Sequence, residues 1–396
     1  MQVACVLPLL FSLATADAQS IARPRLPADD RAALGREIRD SLAIALRAGV
    51  ADRAFPGAYA IVGDSRGILA QYGAGHLDWA PSPRPDAHTL WDLASLTKVI
   101  GTTTALAQLV ESGKVALDAP VQRYVPDWTG PGKEAVTVRH LLTHTSGLPA
   151  FHPYDRQTHN ADSIAQLIFA TPLERAAGDS MIYSDIGAFM MGRVIESVTG
   201  QRLDKYISAH VLKPLRMRET MFNPARSLRA RIAPTEYDST RGGLMRGQVH
   251  DERAFYLGGV AAHAGLFSSA SDLSRFAAML LHGGVLGGAR VLRAETIRQF
   301  TAYADSAKSN RALGWQKPPA VWAGNHMSSR AFGHTGFTGT SFAIDPDLDL
   351  YIILLTNRVN PTRDNPKIGA VRSQVADAVV SVVRRVRGQT INGELR

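Results

Sequence analysis

Leu93-Ala94-Ser95-Leu96-Thr97-Lys98-Val99-Ile100 opens a long apolar-patterned segment that runs to about Gly113. Read as a helix, it puts Ser95 in the first turn and Lys98 three residues on, so hydroxyl and amine share one face. No other lysine of the chain has a serine three positions before it. In the first turn Ser95 would meet unpaired backbone N–H groups and the positive end of the helix dipole, both of which favour an oxyanion. The same field is expected to push Lys98 toward the free amine that a general base must be. Taken alone, the serine–lysine spacing is a two-letter pattern, and its weight depends on what surrounds it.

Upstream, an apolar run from Val3 to Leu13 ends in Ala14, Ala16 and Ala18. This resembles a cleaved secretory signal over residues 1–18 and places the mature chain in the periplasm or outside the cell. The run is too short to span a bilayer, so stable membrane insertion is not expected. Cys5, the only cysteine, lies inside this segment, which excludes disulfides and a cysteine nucleophile from the mature chain. The net charge of +9 comes mostly from arginines scattered without a basic block or interleaved aromatics, so a nucleic-acid partner is not expected.

The apolar positions Leu34, Ile38, Leu42 and Leu46, every fourth residue between Asp29 and Val50, mark an amphipathic helix. Two β-rich runs follow, Ala58 to Val62 and Ile68 to Tyr72, joined by Gly63-Asp64-Ser65-Arg66-Gly67. That turn also spells the GxSxG of a nucleophile elbow. An elbow needs a helix after it, and the strand-like Ile68 to Gly73 denies Ser65 that role. His140 and His144 have the spacing of a zinc helix, but Leu141 stands where the metalloprotease glutamate would be, so no metal and no cofactor are expected. A short helix stopped by Ser146-Gly147 and Pro149 is the better reading, with the histidines holding the turn.

Helical patterns dominate from Ala161 to Leu215, including Ile186 to Val198 closed by Gly200. Gly242 to Ser271 reads as close-packed loop, followed by a helix over Asp272 to Leu281 with Ser271 as N-cap. Strand character returns at Ala331 to His334, Ser341 to Ile344 and Leu350 to Thr356. Ile368, Val371, Val375, Val379, Val382 and Val386 form the stripe of a final helix. Strands and helices at both ends with helices between them predict an α+β fold. In it, one antiparallel sheet is formed by the N- and C-terminal parts, flanked by the terminal helices, with an inserted all-helical domain. The expected division is a catalytic domain over residues 25–390, its sheet region at about 29–90 and 290–390 and its helical region at about 95–285.

Two more clusters complete a pattern: Tyr183-Ser184-Asp185 at the mouth of a helix, and His334-Thr335-Gly336 on a strand followed by Phe337. With Ser95 and Lys98 they stand in the order SxxK, YxN-like, KTG-like. In this the chain resembles the penicillin-recognising serine hydrolases, namely class C β-lactamases, low-molecular-mass penicillin-binding proteins and related esterases. His140 to Pro149, Val249-His250-Asp251-Glu252 and Gly265-Leu266-Phe267-Ser268 also look like stretches that recur in these proteins, and the likeness runs from about Ala51 to Val386.

The resemblance implies that Ser95 becomes acylated while Lys98 and Tyr183 form the base couple. Backbone N–H groups of Ser95 and Phe337 would make the oxyanion hole, and His334 and Thr335 would bind a substrate carboxylate or orient Tyr183. Two residues depart from the family pattern. His334 replaces a lysine, which would make a fixed charge pH-dependent. Asp185 replaces an asparagine, and an ionised carboxylate cannot donate to a substrate amide carbonyl, so weak β-lactam turnover is expected. A neighbouring Lys98 would find in it a counter-ion that favours the protonated form and weakens the base. The implied partner is a small-molecule or peptidoglycan-derived acyl substrate: a D-alanyl peptide, an ester or a β-lactam-like compound. The alternative is a non-catalytic muropeptide or penicillin sensor on the same fold.

Overall fold

The apolar residues spaced every four along the first helix are the ones that close the N- and C-terminal halves together. The computed structural model describes residues 28–305 and 309–388, and the signal-like segment with Cys5 lies outside the described residues. Helix α1 (Ala28–Ala51) buries Leu34, Ile38, Leu42 and Leu46 completely. Each such side chain taken out of water contributes about 1.5–3 kcal/mol. Strands β1 (Gly57–Asp64) and β2 (Gly67–Gly75) then form a hairpin, paired from Gly57↔Gly75 to Asp64↔Gly67. Ser65 sits in its turn, where its hydroxyl donates to Asp349 at 2.8 Å. No helix follows it, and the elbow reading fails.

Strand β3 (Trp91–Asp92) leads into Ser95. The segment after it is helical, as the pattern predicts, but it opens as a π-helix over Lys98–Thr103 before continuing as α2 (Thr104–Glu111). The wide turn has visible causes. Thr104 Oγ1 donates to Val99 O at 2.9 Å, and Gly101 leaves room where an added Cβ would stand 2.9 Å from Ile207 Cδ1. Single π turns of this kind cluster at functional sites. Helices α3 (Val138–Leu142), α4 (Ala161–Ala170), α5 (Asp185–Thr199) and α6 (Leu203–Ile207) follow, with Gly200 closing α5 in the left-handed region.

Strand β4 (Met221–Phe222) comes next. The stretch 242–271 is not all loop, because it holds α7 (Glu252–Tyr256) and β5 (Leu266–Ser268). Strand β5 lies between β3 and β4 in a small sheet whose pairings join distant segments, a stabilisation that local composition does not encode. Helix α8 (Ala270–Leu281) starts two residues earlier than expected. Its N-cap is Ser269, whose hydroxyl accepts from Asp272 N at 3.2 Å. Helix α9 (Ala294–Thr301) packs on α2.

Strands β6 (Phe332–Thr335), β7 (Ser341–Asp345) and β8 (Leu350–Thr356), with α10 (Ile368–Val386), complete the chain. The five-stranded sheet runs in the order β6-β7-β8-β1-β2, antiparallel throughout, with Ile61 opposite Ile353 at the join of the two chain halves. Alternation divides it. Ala58, Ala60, Val62, Ile352 and Leu354 meet α1 and α10 on one face. Tyr59, Ile61, Ile353 and Leu355 share the core of the helical side on the other, where α8 packs on β1 and β8. The fold is therefore α+β, with the sheet built from both termini and flanked by the terminal helices. Strand β6, at one edge of the sheet, ends against the loop that carries Ser95.

Candidate active site

Ser95 is held by a short, tied turn. Ala94 adopts φ 45, in the left-handed region, a conformation costing a non-glycine residue about 1–2 kcal/mol. Asp92 compensates: its buried carboxylate accepts Ala94 N at 2.8 Å and His250 N at 2.6 Å. Lys98 lies beneath, 1% exposed. Its ammonium donates to Ser95 Oγ at 2.9 Å and His263 O at 3.1 Å and forms an ion pair with Asp185, whose Oδ1 lies 2.7 Å away. Burial works against that charge and is the largest single effect, but the Asp185 carboxylate and Tyr183 together outweigh it and hold Lys98 above the ordinary lysine range. The expectation of a free amine is thus corrected for the resting protein: a nearby counter-ion dominates over a helix end.

Tyr183 and Asp185 reach the site from the start of α5. Ser184 is its N-cap, with a hydroxyl that accepts from Gly187 N at 2.9 Å and donates to Pro149 O at 2.6 Å. His144 secures the same stretch. Its Nδ1 accepts Ser184 N at 3.1 Å, its carbonyl accepts Ile182 N at 2.8 Å, and its ring stands 4.6 Å from that of Tyr183. Burial, and then the charge of Arg311, push His144 well below the usual histidine range, so it is neutral and can accept. The histidines of 140–149 do hold their turn, since His140 accepts from Thr137 N as part of a capping box on α3. The Tyr183 hydroxyl is buried next to Lys98 and has no partner beyond that lysine among the described residues.

Asp185 carries more than Lys98. Arg253 Nη2 donates to its Oδ2 and to Asp251 Oδ2, both at 2.9 Å, and His263 Nε2 lies 2.9 Å from Asp251 Oδ1. The Asp185 carboxyl resists burial because Lys98, His263 and Arg253 surround it, and it stays below its ordinary value. It is ionised and aimed at the lysine.

The His334-Thr335-Gly336 triplet is pressed against the Ser95 turn. Thr338 Oγ1 donates to Asp92 O at 2.7 Å and Thr340 Oγ1 to Leu93 O at 3.1 Å. Position 336 must be glycine, because a Cβ there would stand 2.1 Å from Thr340 Oγ1 and 2.3 Å from Leu93 O. His334 does not become a switchable cation. Burial, then Arg311 and Lys98, press it well below the usual histidine range, and its Nδ1 donates to Thr335 O at 2.8 Å. Arg311 supplies the charge instead. Its Nη1 lies 3.4 Å from His334 Nε2 and its guanidinium 5.1 Å from the Tyr183 ring centre. Among the described residues Arg311 has no carboxylate partner within salt-bridge distance, and no motif in the sequence points to it.

Ser95, Tyr183, Asp185 and Phe337 line one cleft of about 780 Å³, together with Phe151, Tyr256, Arg253 and His263. Lys98 and His334 are buried. Among the described residues no cluster of three or more His, Cys, Asp or Glu side chains is arranged to hold a metal ion. The arrangement offers a nucleophilic hydroxyl, a hydrogen-bonded amine, a phenol beside that amine and an open aromatic-walled cavity, the parts that covalent acyl transfer requires.

A two-ended antiparallel sheet with a serine–lysine pair at the π-helical entry defines a β-lactamase/transpeptidase-like hydrolase. The chain belongs to the Beta-lactamase family, whose profile matches residues 42–377. It is 34% identical over 310 residues to an Escherichia coli (strain K12) protein named "Putative D-alanyl-D-alanine carboxypeptidase", covering 70% of this chain and 71% of that one. A Salmonella enteritidis protein of the same name is 34% identical over 316 residues, with coverage of 72% and 73%. Among solved structures, a penicillin-binding protein homologue from Caulobacter crescentus superposes with TM-score 0.71 at 21% identity, over 89% of this chain and 98% of that one. EstCE1, a hydrolase with promiscuous acyltransferase activity, does so with TM-score 0.70 at 19% identity, over 87% and 99%. These superpositions establish the fold. The chain is an enzyme of the serine-hydrolase type.

Proposed function

We propose that this chain is an exported serine hydrolase that forms an acyl-enzyme at Ser95, with D-alanyl peptides or related esters of the cell envelope as acyl donors. The observation that carries the reading is Lys98 Nζ at 2.9 Å from Ser95 Oγ, beside Tyr183, in an open cleft. Residues 25–390 act as one catalytic unit. Because the Lys98 ammonium is fully engaged at rest, the Lys98–Tyr183 couple must first release one proton to solvent. Ser95 Oγ then bonds to the carbonyl carbon and passes its proton to the couple, while the carbonyl oxygen becomes an oxyanion facing the Ser95 and Phe337 N–H groups. Collapse breaks the bond to the leaving group, which takes the proton back, and water repeats the sequence to free the acid.

Lys98 Nζ lies 4.9 Å and the Arg311 guanidinium 5.1 Å from the Tyr183 ring centre, and these buried cations behind the Tyr183 wall of the cleft suit it to an anionic substrate terminus. The carboxylate of a D-alanyl peptide has that chemistry, and the name of the Escherichia coli relative supports the same class. Export rests on the signal-like residues 1–18. No helix among the described residues is long and apolar enough to cross a membrane.

The test is covalent labelling with a fluorophosphonate and a fluorescent penicillin, followed by turnover of p-nitrophenyl esters, nitrocefin and a D-Ala-D-Ala peptide. Labelling is expected in wild type and Ser65→Ala and absent in Ser95→Ala. Labelling that survives in Ser95→Ala would overturn the assignment. Labelling without turnover of any substrate would favour a binding or sensor protein instead.

A further inference from the structure

Helix α10 lies on the side of the sheet away from the cleft, yet one of its side chains reaches the triplet loop. Arg372 is 9% exposed, and its Nη2 donates to Gly336 O at 2.7 Å and to Thr340 O at 2.8 Å. Among the described residues it has no carboxylate within salt-bridge distance. A neighbouring guanidinium, Arg358, donates its Nε to Phe337 O at 2.8 Å. Two buried cations therefore hold consecutive carbonyls of this loop.

The Gly336 carbonyl and the Phe337 N–H belong to one peptide group. Only Pro318–Pro319 and Asn360–Pro361 are cis among the described residues, so this peptide is trans and planar. Its N–H points opposite to its C=O. With the oxygen drawn toward Arg372, the Phe337 N–H faces away from α10, and Phe337 itself lines the cleft with Ser95. A charged donor on the oxygen of an amide withdraws electrons from its nitrogen and makes the N–H a stronger donor, the cooperativity that hydrogen-bonded chains show in a low-dielectric setting. Gly336 O also accepts Gly339 N at 3.1 Å, the ordinary neutral partner of a turn. Arg372 adds a shorter, charged one.

We propose that Arg372 is a positioning residue of the oxyanion site: from behind the sheet it orients and polarises the Gly336–Phe337 peptide so that the Phe337 N–H stabilises the developing oxyanion. The inference rests on the acyl-enzyme reading given above. Arg372 never touches substrate and acts through one peptide group. A neutral side chain should weaken this donor without abolishing it, which is less than the loss of a whole oxyanion-hole donor.

The experiment uses the full chain, acylated at Ser95 by a ¹³C-carbonyl ester that turns over slowly, and reads the acyl carbonyl stretch by infrared difference spectroscopy. Arg372→Gln keeps a neutral donor. It is expected to move the band to higher frequency and to slow acylation about tenfold, with binding of a non-reacting substrate analogue unchanged. Arg372→Lys restores a charge and should bring both readouts back toward wild type. Thermal denaturation of each variant separates lost folding from lost polarisation, because a purely structural role lowers stability without moving the band. An unmoved band in acylated Arg372→Gln would overturn the proposal while leaving Ser95 in place. A wild-type protein that cannot be acylated at Ser95 would overturn the acyl-enzyme reading and this proposal with it.

Discussion

At Lys98 the balance of two opposing effects decides the chemistry. Burial, the largest single effect, favours the neutral amine, but the Asp185 carboxylate 2.7 Å away and Tyr183 together favour the ammonium and win. Since the amine is held above its ordinary value, the base-competent fraction is small at neutral pH and grows as pH rises. Acylation should therefore climb along an alkaline limb. Asp185→Asn removes the larger of the two contributions that oppose burial and leaves only Tyr183 against it, so the limb should move to lower pH. Single-turnover acylation by a p-nitrophenyl ester from pH 6 to 11 measures this, and a limb that stays in place would mean that another group titrates. The same variant gives the cleft an N–H donor where the wild type has two acceptor oxygens. The specificity constant for a β-lactam or D-alanyl peptide, relative to the ester, should rise about tenfold if one hydrogen bond is gained.

At the scale of elements, the start of α5 and the end of β6 carry the site, and each depends on one small residue. Ser184 caps α5 and ties it to Pro149. Ser184→Ala should cost about 1–2 kcal/mol in urea denaturation and also slow acylation, because Tyr183 and Asp185 flank the cap. Lost stability with an unchanged rate would show that the cap supports the helix alone. Gly336→Ala drives a methyl group into the Leu93 carbonyl and separates the triplet loop from the Ser95 turn. Displacements of about 1 Å can cost about a hundredfold in rate, and a loss of that order in ester kcat/KM is expected. The period of the apolar residues made α1 and α10 legible, the latter to the residue, and β-rich runs bounded by turn residues made the hairpin and the last three strands legible. Strand β5 was not, because its pairing partners β3 and β4 are remote in sequence. The π turn at Lys98 was not either, since a side-chain hydrogen bond and a close helix contact produce it.

The whole molecule is held near the mouth of the cleft by a cluster that joins the 236–250 region to the remote segment at Arg363. Glu236 accepts Arg363 N at 2.9 Å and Arg363 Nε at 2.7 Å, and meets His250 Nε2 at 2.9 Å. Burial alone would raise its carboxyl, but the His250 and Arg363 hydrogen bonds hold it at about 2, against 4.5 unperturbed. A depressed carboxylate stabilises the fold above its unfolded value and loses that contribution as pH falls from about 4.5 to about 2. Glu236→Gln should therefore destabilise the protein at pH 7 by about 1–2 kcal/mol, a figure reduced for solvent screening. The gap should close on acidification. Urea midpoints of both proteins between pH 7 and pH 3 test this, and a gap that does not narrow would mean that the carboxylate charge is not what binds the segments.

The sequence by itself determined the layers of the fold and the order of the three motifs, because those are local properties: a repeat of four, a β-rich run between turn residues, a triplet at a helix mouth. It also disposed of Ser65, whose flanking strands are written beside it. Tertiary structure alone decided the charge states. Lys98 is an ammonium because the start of α5 brings Asp185 to it, and His334 is neutral because burial and Arg311 act on it together. Arg253, Arg311 and Arg372 entered the site or its support with no motif to announce them, and the 249–252 stretch that holds Asp251 gave that residue no role. Electrostatic energy depends on distance through space and on exclusion of water, and neither is set until the two halves of the chain have closed around one sheet.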